Sequence, residues 1–195
     1  LPVPPHTAPP LSFCFILKHS WDSSANAEIN AHMKGEIMDK KILVTYFSWG
    51  GNTKHIAQKI QTKTKGDIFE ITPAESYPST YHATTVMAKE QIEKRVEIPL
   101  KNNIDISGYD VIFVGTPAWW YTMAPPVKTF LIINNFEGKT IVPFITHGGG
   151  GEYSIKKEMG EYANDSKVLN SISIYNKGDD STDSEISEWL NGLKM

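Results

Sequence analysis

The chain has 195 residues, 40% of them hydrophobic, and a formal net charge of −3. That length suits one domain around one sizeable core, and the charge offers neither a basic face for nucleic acid nor an acidic run for an interaction tail. A single cysteine, Cys14, excludes an intramolecular disulfide and a paired-cysteine redox or zinc site, so a reducing cytoplasm is the expected setting.

Residues 1–37 differ in composition from the rest, with a Pro-rich start, a short apolar run and a polar stretch. The apolar run from Leu11 to Leu17 is too short to span a bilayer and lacks the flanks of a secretory signal. The segment reads as a leader or tag-like appendage outside the fold, and residues 38–195 as the folded domain. From Lys41, "KILVTYF" (41–47) is a strand apolar on both faces, as expected at the centre of a sheet covered on both sides. Ile56, Ala57 and Ile60 then recur at helical spacing up to Gly66, and "DIFEIT" (67–72) alternates as a strand nearer an edge. A long crossover holds a helix over 81–94, followed by the strand "DVIFVGT" (110–116) and a helix over 124–133 with proline in its first turn. "KTIVPFIT" (139–146), a helix after "GGGG", the strand "KVLNSISIY" (167–175) and an amphipathic last helix through Ile186, Trp189, Leu190 and Leu193 complete the chain. Strict alternation predicts a doubly wound three-layer α/β/α sandwich around a five-stranded parallel sheet.

In such a sheet the ligand sits beyond the carboxyl ends of the strands, which singles out three loops. "SWGGNT" packs Ser48, Trp49, Gly50, Gly51, Asn52 and Thr53 against a helix N-terminus, where backbone N–H groups and the helix dipole favour an anion. Without the lysine of GxxxxGK[ST] it is no nucleotide-hydrolysing loop, and by itself it is equally a capped βα turn. "TPAWWYT" places Trp119, Trp120 and Tyr121 after Thr116, Pro117 and Ala118, an aromatic platform for a flat ligand or simply core and helix cover. "THGGGG" brings backbone close to a ligand through Gly148, Gly149 and Gly150 after Thr146 and His147.

Together, in this order, the loops resemble those of the flavodoxin-like family, and more closely a short-chain bacterial branch that "YPSTY" (77–81) and "GYDVIFVG" (108–115) also match. The family's phosphate loop, [ST]-x-[TS]-G-N-T, is met by Ser48, Gly51, Asn52 and Thr53, with Gly50 where a hydroxyl residue is usual. "GTPAWW" resembles the ring-stacking loop, and "PFITHGGGG" the third ring-contacting loop, with Gly150 where serine is common. The resemblance implies a five-stranded parallel sheet of order 2-1-3-4-5 and flavin mononucleotide (FMN) bound without a covalent bond, its phosphate held by the first loop and its ring by the other two.

The job is less determined than the cofactor. A single FMN serves either one-electron transfer to a redox partner protein or NAD(P)H-dependent reduction of a small quinone-like acceptor, and the same architecture also hosts non-catalytic binding domains. Residues 116–136 contain no Asp or Glu, so the ring environment is expected to tolerate anionic reduced flavin and raise its second reduction potential. Glu75, Glu90 and Glu93 in the crossover are the carboxylates placed to oppose this. No covalent nucleophile stands out; His147 and Tyr121 are the candidate proton donors. No metal, nucleic acid or membrane partner is expected, and both monomer and homodimer remain open.

Overall fold

The computed structural model describes residues 40–193; the expected leader lies outside them. In chain order the elements are β1 (Ile42–Tyr46), α1 (Asn52–Thr64), β2 (Asp67–Glu70), α2 (Tyr81–Glu93), β3 (Val111–Trp119), β4 (Thr122–Met123), α3 (Pro125–Ile133), β5 (Thr140–His147), α4 (Ile155–Tyr162), β6 (Lys167–Val168), β7 (Ile172–Tyr175) and α5 (Thr182–Gly192). Every residue of β1 is buried. It pairs in parallel with β2 on one side and β3 on the other, β3 pairs in parallel with β5, and β6 and β7 both lie beside β5.

The path β2-β1-β3-β5-β6 is the expected doubly wound order, with two departures from five parallel strands. First, the predicted strand over 167–175 is two strands. Thr140 faces Lys167 whereas Phe144 faces Ile172, so one extra residue is inserted between them, as in a bulge. There the Asn170 carbonyl accepts the Trp189 indole N–H at 2.9 Å. Second, β3 runs three residues past its predicted end and folds back antiparallel onto β4, pairing Ala118 with Met123 and Trp119 with Thr122.

Alternating side chains send the sheet's apolar residues into two cores. Leu43, Ile112, Val114, Ile141 and Ile145 pack under Val127, Phe130 and Leu131 of α3 and Ile155 and Met159 of α4. Ile42, Val44, Val111, Phe113, Val142 and Phe144 pack under Ile56, Ala57 and Ile60 of α1 and Ile186 of α5. Each fully buried aliphatic or aromatic side chain contributes about 1.5–3 kcal/mol. Gly66 was expected to stop α1, but the left-handed residue that ends it is Lys65 (φ 60°). Gly66 serves close approach instead, since a Cβ there would lie 2.7 Å from Ile42 Cγ2.

α2 contributes no residue to either core. It buries Thr84 and Ala88 and leaves Tyr81, Val86 and Met87 exposed. The segment after it returns along the outer edge of β2. Lys101 N–H donates to the Thr72 carbonyl, Asn102 Oδ1 accepts Thr72 N–H at 3.1 Å, and Asn102 Nδ2 donates to the Glu70 carbonyl at 3.0 Å. Among the described residues no helix is long and apolar enough to cross a membrane.

Candidate functional site

The carboxyl ends of β1, β3 and β5 open into a cavity of about 520 Å³. The first loop forms one end. Gly51, at φ 86°, precedes α1, and no side chain caps that helix, which leaves first-turn N–H groups directed at the loop. Ser48 Oγ is buried with no hydrogen-bond partner among the described residues, a cost of about 1–3 kcal/mol unless something else bonds it. Thr53 Oγ1 and Thr146 Oγ1 share a buried hydrogen bond of 2.8 Å, tying the first loop to the third. Trp49 donates its indole N–H to the Pro78 carbonyl at 2.9 Å, which Thr84 Oγ1 also reaches at 2.7 Å.

The second loop is the tip of the β3–β4 hairpin. Trp120 (φ 49°) and Tyr121 (φ 70°) are its two central residues, and two positive φ values mark a type I′ turn, usually made by Asn-Gly. One tryptophan joins the core and the other covers a helix. Trp119 stands edge-on to Phe47 at 5.5 Å and Tyr77 at 5.0 Å, joining the core. Trp120 covers α2, its indole N–H donating to the Thr85 carbonyl at 2.9 Å and Lys89 Nζ lying 5.1 Å from its ring centre. Both indoles nonetheless line the cavity. Burial pushes the Tyr77 phenol well above the usual tyrosine range.

In the third loop His147 Nδ1 accepts the Gly149 N–H at 3.0 Å, so the neutral imidazole carries its proton on Nε2. That N–H of Gly149 is therefore engaged within the loop.

Of the residues singled out in the sequence, the cavity gathers Ser48, Trp49, Gly50, Asn52, Thr53, Pro117, Ala118, Trp119, Trp120, Tyr121, Thr146, His147 and Gly148. Gly51, Thr116, Gly149 and Gly150 are not on its wall. Thr116 lies buried beneath the hairpin, where its hydroxyl accepts the Ala124 N–H at 2.9 Å and donates to the Pro117 carbonyl at 3.0 Å. Gly150 supports the wall indirectly: a Cβ there would lie 1.4 Å from Tyr153 Oη, a lining residue. Sequence reasoning missed Tyr81, Thr84, Thr85 and Ala88 of α2, Tyr153, and Asn176 beyond β7. The "YPSTY" segment was the one signal pointing toward α2.

Among the described residues, no Asp, Glu, Lys or Arg lines the cavity. Glu75 is not on the wall, Glu90 pairs with Lys94, Glu93 pairs with Lys89, and Glu152 accepts the Ser171 hydroxyl. An uncharged chamber, aromatic at one end and rich in hydroxyl and N–H groups at the other, suits a flat ligand carrying an anionic tail.

No curated protein matches the chain. Among solved structures, a Bacteroides eggerthii protein described as a flavoprotein is 28% identical, with a TM-score of 0.72 over 80% of this chain and 99% of its own. A flavoprotein of Lactobacillus acidophilus, determined in complex with FMN, is 28% identical, with a TM-score of 0.60 over 77% of this chain and 99% of its own. Flavodoxin 2 of Bacillus cereus, 19% identical with a TM-score of 0.50 over 77% of this chain and 94% of its own, shares the fold. The flavodoxin family's sequence model matches residues 41–193, from the strand that opens the first loop to the end of the last helix, and the chain belongs to that family.

Proposed function

We propose that the cavity binds FMN non-covalently and that the protein transfers electrons through it. The observation that carries this reading is Ser48 Oγ, buried and unpartnered in a loop whose helix has no side-chain cap: a phosphate there satisfies both. Ser48, Asn52 and Thr53 would hold the phosphate, while Trp119, Trp120, Tyr121 and the backbone of His147 and Gly148 would flank the ring. When bound, the flavin supplies one- or two-electron redox chemistry, and the protein supplies orientation, exclusion of water and electrostatics.

The uncharged wall supports the second half of the reading. With no carboxylate at the ring, the extra negative charge of fully reduced flavin is opposed less than in an acidic site, so the second reduction potential should lie above that of strongly acidic carriers. The same observation favours a second reading, NAD(P)H-dependent reduction of a quinone-like acceptor, over transfer to a protein partner. Titrating FMN-free protein with FMN, followed by a potentiometric titration and an NAD(P)H oxidation assay with and without a quinone, separates the cases. Failure to take up FMN sinks the whole reading. A very low second potential sinks the electrostatic argument, and quinone-dependent turnover selects the reductase.

A further inference from the structure

Two exposed tyrosines meet across the cavity mouth. Tyr121, at the hairpin tip, and Tyr153, in the third loop, both line the cavity, and their rings stand edge-to-face with centroids 5.0 Å apart. Both backbones are left-handed, at φ 70° and 53°. Strain of this kind persists only where surroundings impose it.

Glu158, in the first turn of α4, reaches the neighbours of both tyrosines. Thr122, next to Tyr121, donates its hydroxyl to Glu158 Oε2 in a short hydrogen bond. Ser154, next to Tyr153, donates its hydroxyl to Glu158 Oε1 at 2.5 Å. One carboxylate thus holds the residues adjacent to both rings. Gly150 completes the arrangement, because any side chain there would occupy the position of Tyr153 Oη.

We infer that Glu158 is a positioning residue which, through Thr122 and Ser154, closes Tyr121 and Tyr153 into a gate over the ring end of the cavity, and that glycine at 150 is what permits closure. The inference rests on the FMN reading for its consequence: the gate slows FMN exchange and shields the ring's outer edge from solvent. The clamp itself stands without the cofactor, and the experiment tests the two apart.

In FMN-free protein, amide hydrogen exchange over residues 119–122 and 148–154 should quicken in Glu158→Ala and be partly restored in Glu158→Gln, whose amide can still bridge two hydroxyls. In FMN-loaded protein, release on dilution, read by the rise of free-flavin fluorescence, should quicken about three- to tenfold in Glu158→Ala, Gly150→Ser and Tyr153→Gly, the range an aromatic pair provides. Gly150→Ser added to Tyr153→Gly should bring no further change, since its effect runs through the Tyr153 ring. Unaltered exchange in Glu158→Ala overturns the clamp. Unaltered release in all three variants, or additive effects in the double variant, overturns the gate. Lack of FMN uptake by the parent protein counts against the cofactor reading alone and leaves the exchange result to decide the clamp.

Discussion

At the scale of single residues, the hydroxyl pair Thr53–Thr146 joins two loops that the sequence separates by 93 positions. Whichever hydroxyl donates, the other keeps its proton for a ligand. Thr53→Ala should therefore weaken FMN binding about tenfold or more, since hydrogen bonds to a charged group contribute about 1.5–3 kcal/mol. Thr53→Ser should retain most of the affinity. Equal dissociation constants for the parent protein and the alanine variant, measured by fluorescence titration, would remove Thr53 from the site. The role given to Gly50 in the sequence also gains definition. A side chain there would meet nothing within 4 Å, so the glycine meets no steric demand, and on the proposed reading its absent hydroxyl would leave the phosphate to Ser48, Asn52, Thr53 and the backbone.

At the scale of elements, the hairpin explains both what was legible and what was not. The βα loops could be read because their residues sit at strand ends that hydrophobic runs mark plainly: "KILVTYF", "DVIFVGT" and "KTIVPFIT" each locate the loop that follows. The β3–β4 turn could not, because Trp120 and Tyr121 carry none of the Asn-Gly chemistry by which such turns are recognised. Their contacts hold them there: Trp120 on α2 and Tyr121 on Tyr153. A testable trade-off results. Tyr121→Gly relieves about 1 kcal/mol of left-handed strain and loses a ring pair of about 0.5–1.5 kcal/mol, so folding stability should stay within about 1 kcal/mol of the parent while FMN release quickens. Urea denaturation checks the first half; a loss above about 2 kcal/mol would show that Tyr121 is structural. The contribution of α2 was illegible for a different reason. Thr84, Thr85 and Ala88 look like ordinary helix residues, and only the long crossover's path brings them over the sheet's end.

At the scale of the whole molecule, one buried phenol, Tyr46, and one half-buried phenol, Tyr77, have consequences for pH. Tyr46 is raised well above the usual tyrosine range by burial, with further upward contributions from the charge and hydrogen bond of Glu70, and Tyr77 is raised by burial. Both native phenols hold their protons where unfolded tyrosines, with pKa values of about 10, release theirs. Their contribution is fully present below about pH 10 and is lost as pH rises beyond it, because the unfolded chain then binds fewer protons than the native one. Denaturant midpoints should fall between about pH 9 and pH 11, and Tyr77→Phe should flatten the fall. A midpoint independent of pH across that range would contradict the burial of both groups.

One amide side chain also bears on how these molecules behave in company. β2 is an outer strand of the sheet, and a bare strand edge is a template on which a neighbouring chain can continue the ladder. By taking the Thr72 N–H and the Glu70 carbonyl, Asn102 fills two of the positions such a neighbour would need. The return segment thereby does more than connect α2 to β3: it blocks that stretch of the sheet from growing edge to edge into an aggregate.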